Sequence, residues 1–194
     1  FFHIHPLTQE DILHTVQRPK REDFDQYLYI VLQMLRYRTE SSGIESEQIS
    51  LQGRSIQVGG YLFVGAGGSL PCPGMTPNEC KDSHFETILS KALYRNEANC
   101  SFSVSKKLIL MTHQPAFGTA VDTVAGRSTG SPSIRRFIET HQPVLAVSGH
   151  IHEAFGTDVI GSTILVNPGP LKQGRYATVE IQPDSVGPQL HTLD

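Results

Sequence analysis

An α/β domain with a mixed sheet, or sheets, inside helices is the fold this sequence predicts, on three observations. Two continuous apolar runs, "KKLILMTH" and "PVLAVSGH", each close on a histidine and read as buried strands. Between them lies a segment with a serine start that reads as a helix, and after them short apolar stretches alternate with glycine turns. Strand, helix, strand and then hairpins is an order that builds one layered core. With 194 residues, 38% of them hydrophobic, the chain is long enough to bury such a core without staples.

Taken in order, Thr8 to Val16 could form a short helix and "DFDQYLYIVLQMLRYR" a better one, with Tyr27, Ile30, Val31, Met34 and Leu35 at helical spacing. After the polar "TESSGIESEQ", the period changes to two in "RSIQVGGYLFVGAGG", where Ile56 and Val58 alternate before a Gly59-Gly60 turn, predicting a hairpin. A Pro- and Gly-rich loop, "GGSLPCPGMTPNE", precedes an expected helix from about Asn78 to Arg95. The strand ending at His113 follows, then a loop through Gly130. Ser131 or Ser133 can cap a helix running to about His141, and the second buried strand ends at His150. "FGTDVIGSTILVNPGPLKQGRYATVEI" continues as short strands with glycine turns, and "QPDSVGPQLHTLD" reads as a polar tail. The organisation expected is a helical N-terminal part over residues 1–47, a core over 48–182 and the tail over 183–194.

Composition excludes some classes of function. The formal net charge is −3, from 16 basic and 19 acidic residues, and the densest basic run, "RPKR", is short and followed at once by Glu22 and Asp23, so nothing indicates nucleic acid. The longest apolar runs fall far short of the roughly 20 residues of a membrane helix, and no signal peptide opens the chain, so no membrane partner and a cytoplasmic setting are expected. The three cysteines, Cys72, Cys80 and Cys100, are odd in number and form no Cys-x-x-Cys pair, which argues for reduced thiols over a disulfide framework or a thiolate zinc site. The chain opens on Phe1, as a fragment or a processed product would.

The chemistry gathers where strands end. "LILMTHQPAFG" and "VLAVSGHIHEAFG" each release histidine into a loop punctuated by Gly or Pro, the place where open α/β sheets hold ligands. In extended backbone His150 and His152 would face the same way at about 6 to 7 Å, a spacing suited to one imidazole on each of two ions. A lone His-x-His is a weak signal. His3 and His5 repeat it with no strand before them, Asp82-Ser83-His84 falls at a helix start where Asp commonly caps, and His141 ends a helix where a cation suits the dipole.

From Lys106 to Ile181 the combined pattern resembles the calcineurin-like metallophosphoesterases, whose later motifs run strand, Thr-His-x-Pro, helix, strand, Gly-His-x-His. "GSTILVNPGPLKQGRYATVEI" is similar to the Asn-Pro-Gly segment and closing strand of that superfamily's small phosphodiesterases, and the "IQVGGYLFVGAGGSLPCPG" hairpin to their central strands. The resemblance implies two packed mixed β-sheets flanked by helices. It implies that His113 and His150 ligate one divalent metal and His152 another, the ions being Mn, Fe or Zn in a two-metal site that hydrolyses a small phosphoester, with a metal-activated hydroxide as nucleophile. It also implies a narrow turn at Gly149 and a positive φ at Gly169. Arg127, in the loop "QPAFGTAVDTVAGRSTGS", could clamp a phosphate or be a solvated loop residue.

The earlier motifs of that superfamily are absent. No Gly-Asp, Gly-Asn or Asn-His dipeptide occurs, and Asp82 opens the only Asp-x-His. Three neutral imidazoles offer two divalent cations no balancing charge and no bridging carboxylate. Asp122 and Glu153 could supply carboxylate, Glu153 more naturally by orienting a histidine. The N-terminal part is therefore read as truncated or degenerate, and three functions stand side by side. They are a metal-dependent phosphoesterase, a non-catalytic module of the same fold that binds a protein partner or a second copy of itself, and a single-ion structural site.

Overall fold

The computed structural model describes residues 28–32, 51–58, 61–73, 78–97, 108–182 and 185–193. The expected helix from Thr8 to Val16, the histidines His3 and His5, and Cys100 lie outside them. Inside the second expected helix, Leu28–Leu32 is instead a strand, β1. It pairs antiparallel with a strand near the far end of the chain, Leu28 opposite Ile181 and Leu32 opposite Ala177. The aromatic and β-branched run Leu-Tyr-Ile-Val-Leu fits a strand as well as a helix, and long-range pairing chose between them.

The predicted hairpin is present as β2 (Ser55–Val58) and β3 (Tyr61–Ala66), paired antiparallel with Val58 opposite Tyr61. Helix α1 spans Asp82–Glu97, starting later than about Asn78, because Asn78 is left-handed (φ 64°) and Glu79 is held in a bridge to Ser69. Strand β4 (Leu108–Thr112) returns parallel to β3. A two-stranded ribbon, β5 (Thr123–Val124) and β6 (Arg127–Ser128), interrupts the loop to helix α2 (Pro132–His141). Ser131 is the cap of α2, its side chain accepting from the Ile134 N–H at 3.0 Å, and Pro132 opens the first turn, a start worth about 1 kcal/mol.

Strand β7 (Leu145–Val147) then lies parallel to β4, and β8 (Gly156–Ile160) with β9 (Thr163–Asn167) completes a six-stranded sheet of order β2-β3-β4-β7-β9-β8. Strands β10 (Arg175–Gln182) and β11 (Ser185–Thr192) form a second sheet with β1, in the order β1-β10-β11. The polar tail expected over 183–194 is thus largely a strand. Val186 and Leu190 alternate inward onto the core, and Pro188 is tolerated because β11 is an edge.

Alternation along the buried strands sorts the core into two layers. Leu62, Val64, Leu108, Leu110 and Ala146 face Phe85, Leu89, Ile134 and Ile138 of the helices. Phe63, Ile109, Met111, Leu145, Val147 and Val166 face Ala177, Val179 and Ile181 of the second sheet. The central strands read as unbroken apolar runs because both faces are covered. Two sheets therefore pack face to face, and both described helices lie on the outer side of the larger one. Parallel β3, β4, β7 and β9 bring their C-terminal ends to one edge, where His113 and His150 emerge. Among the described residues no helix is long and apolar enough to cross a membrane.

Candidate metal centre

His113 is the first residue past β4, and its backbone is held from both sides. Its N–H donates to the Ala66 carbonyl at 3.1 Å, and the Thr112 hydroxyl donates to the Gln114 carbonyl at 2.8 Å. Gln114, 1% exposed, accepts from the Leu70 N–H at 3.0 Å and donates to the Thr129 carbonyl at 2.8 Å, joining the loops on either side of the histidine. A buried glutamine hydrogen-bonded through both its oxygen and its nitrogen fixes the strand end more tightly than an apolar residue could.

The second strand end is tied to the first. The Ser148 N–H donates to the Val166 carbonyl at 2.9 Å, continuing the sheet, and the Gly149 N–H donates to the His113 carbonyl at 3.0 Å. Extended backbone was expected next, with His150 and His152 side by side, and the structure differs. His150 itself takes φ 61°, a left-handed conformation that costs a non-glycine residue about 1 kcal/mol or more. The positive φ falls on His150 and not on Gly149, and His152 opens a one-turn 3-10 helix, His152–Ala154. Gly169 has the positive φ expected, 67°.

The reversal turns His150 back onto His113. His150 Nδ1 lies 3.2 Å from His113 Nε2, with ring centres 5.0 Å apart and planes inclined at 65°. Without a cation, one nitrogen of such a pair must carry the proton and the other accept it. Burial is the main reason that the His113 pKa falls to about 3, with the neighbouring imidazoles adding to it. Burial first and His152 second lower His150, against the charges of Glu79 and Glu153. Burial and then Lys172 lower His152, against Glu153. All three rings are therefore neutral near pH 7, the state in which imidazole binds metal.

The geometry can be tested against a cation. Two nitrogens each about 2.0–2.1 Å from one tetrahedral ion are roughly 3.3 Å apart, so the spacing of His113 and His150 suits a shared ion. The carboxylate side of a two-metal site is missing: among the described residues no three His, Cys, Asp or Glu side chains are grouped to hold one ion. Asp122 is buried and fully engaged elsewhere, its oxygens accepting from the N–H groups of Thr119 at 2.9 Å, Gly118 at 3.0 Å and Gly130 at 2.9 Å. Glu153 is exposed and acts on the histidines through its charge. Arg127 is exposed on the β5–β6 ribbon, whose first strand packs against the His152 turn. Asp82, expected to cap the helix it opens, instead accepts from Ser133 at the start of α2, and His141 ends α2 beside Phe137, with rings 4.5 Å apart.

Two charged neighbours had no signal in the sequence. Glu79, which accepts from the Cys72 N–H at 3.3 Å, comes from the Pro- and Gly-rich loop, and Lys172 from the turn after Asn-Pro-Gly. Both reach the histidines only through tertiary folding.

Comparison with known proteins gives a consistent result. The sequence profile of the metallophosphoesterase, calcineurin superfamily matches residues 50–190. An uncharacterized protein of Methanocaldococcus jannaschii, MJ1162, is 31% identical over 140 residues, covering 70% of this chain and 60% of the relative. The chain thus spans 60% of the length of that relative. A separate 51-residue match, 55% identical, covers 26% of this chain and 14% of the cobalt/magnesium transport protein CorA of Thermotoga maritima. One solved structure superposes with a TM-score of 0.57 at 23% identity, over 74% of this chain and 53% of its own, which bears on the fold alone. With a mixed six-stranded sheet packed on a three-stranded sheet that is antiparallel rather than mixed as expected, paired histidines past two strands of the larger sheet and a profile match over residues 50–190, the chain belongs to the calcineurin superfamily of metallophosphoesterases.

Proposed function

We propose that this chain carries the histidine half of a phosphoesterase metal site, His113 and His150 holding one divalent ion and His152 a second. The observation that supports it most directly is the 3.2 Å approach of His113 Nε2 to His150 Nδ1, achieved at the expense of a left-handed histidine. Ions of the Mn, Fe or Zn type would supply Lewis acidity and a hydroxide at neutral pH. The chain's own residues keep three imidazoles neutral and aim two of them at one point, with the charge of Lys172 acting on the third. Arg127 would bind a non-bridging phosphate oxygen of a small phosphodiester or phosphomonoester.

The missing carboxylates favour a second reading, a non-catalytic binding module of the same fold. Metal analysis of purified protein together with bis-p-nitrophenyl phosphate turnover at millimolar Mn separates the two. Bound metal that is lost in His150→Ala, with turnover lost alongside it, is the result expected. No bound metal and no turnover in the wild type would overturn the enzymatic reading, and a protein interaction indifferent to His113→Ala would put the binding module in its place.

A further inference from the structure

We propose that Asn167 and Arg175 are positioning residues for His152, gripping two consecutive backbone carbonyls of its loop from the β9–β10 side; the proposal rests on the reading of His152 as a metal ligand. Asn167 is fully buried at the end of β9. Its Nδ2 donates to the Ile151 carbonyl at 2.7 Å and, at 3.4 Å, to the Val121 carbonyl, while its Oδ1 accepts from the Gly169 N–H at 3.0 Å. Arg175, the first residue of β10, donates from Nη1 to the His152 carbonyl at 3.2 Å. Its guanidinium carbon sits 4.9 Å from the centre of the Phe155 ring, which restrains the planar group.

The carbonyls of Ile151 and His152 belong to the two peptide planes that flank the His152 Cα. Holding both planes fixes the φ and ψ of His152, and so the direction of its Cα–Cβ bond. A single 3-10 turn provides little rigidity of its own, here one closing bond from the Ala154 N–H to the Ile151 carbonyl at 3.2 Å. The grip also needs the chain to fold back between its two arms. At Gly169 an added Cβ would come within 2.9 Å of Arg175 Cδ and 3.0 Å of Phe155, so a side chain there would push the arginine away. The Asn-Pro-Gly segment thus acquires a task. Asparagine holds the loop, and glycine makes room for the arginine that holds its next carbonyl.

The test uses Arg175→Met, which keeps the apolar stem and removes the donors, and Asn167→Ser, whose shorter side chain cannot span the gap. Thermal melts identify folded variants. Imidazole resonances of the ¹⁵N-labelled, metal-free protein should then move or broaden at His152 in both, while those of His113 and His150 stay in place. Arg175→Lys, which can still donate to the His152 carbonyl, should restore the His152 signals in part. Cobalt titration should show roughly tenfold weaker binding of one ion, as residues that orient ligands typically contribute. Folded variants with unchanged His152 resonances, or with all three histidines shifted alike, would overturn the proposal. If the wild type binds no cobalt but the His152 resonances move as expected, the grip stands and the metal reading falls.

Discussion

The C-terminal ends of β4 and β7 and the N-terminal ends of α1 and α2 both gather polar side chains, and they are satisfied in opposite ways. At the helix ends, the Asp82 carboxylate accepts from the hydroxyls of Ser131 and Ser133 and from the Ser133 N–H, with Arg136 3.8 Å away. Burial would raise the pKa of Asp82, but these donors and the arginine outweigh it and hold the carboxyl below its ordinary value. At the strand ends, the His113 and His150 rings face each other and His152 follows in the next turn, with the charges of all three suppressed by burial. The first cluster stabilises its own charge, whereas the second keeps its rings neutral, the form that the proposed metal reading requires. The proposed site and the helix joint thus differ in which charge state their surroundings favour.

Acidification should expose this difference most strongly. Below its ordinary pKa near 6.5 the unfolded chain takes up a proton at His113 that the folded protein refuses until about pH 3, so metal-free protein should lose stability as pH falls across that interval. Asp82 behaves otherwise. Its contribution is complete above its unfolded pKa, near 4, and is lost only as pH falls through the still lower folded value. Urea unfolding between pH 7 and 3 measures both, and a His113→Asn variant should flatten the upper part of the profile alone. An upper limb unchanged by that substitution would remove the contrast.

Asp122 supplies the next largest effect, because it resembles Asp82 in being satisfied but borders the histidines in sequence. Asp122→Ala strands the N–H groups of Gly118, Thr119 and Gly130 and should cost on the order of 3 kcal/mol in urea unfolding. Metal affinity of the folded fraction should change little if this carboxylate is structural; a loss as great as in His150→Ala would make it a ligand and undo the distinction. The smallest effect is Asp82→Ala, about 1–2 kcal/mol of stability through weakened joining of the two helices, with metal binding intact. Isothermal titration with Mn or Co on the variant checks that second half.

Much of this was legible in the residues themselves. Unbroken apolar runs announced strands covered on both faces, the β2–β3 hairpin was signalled by its period-two alternation and the α2 start by Ser131, and histidine at two strand ends marked the edge where the parallel strands finish. Periodicity misled at Leu28–Leu32 and at the C-terminal strand, where partners more than a hundred residues away, or an inward face of only a few apolar side chains, decide the conformation.

Local pattern determined where the central strands and the second helix lie along the chain, the cap, and the histidines that follow two of the strands, because each depends on neighbours a few residues apart. Tertiary structure alone decided that His150 turns back on His113 through a left-handed backbone and that Asn167 and Arg175 reach the loop of His152. The physical reason is common to both. Hydrogen bonds between segments far apart in sequence exist only after the sheets have packed, and no spacing within one segment encodes them.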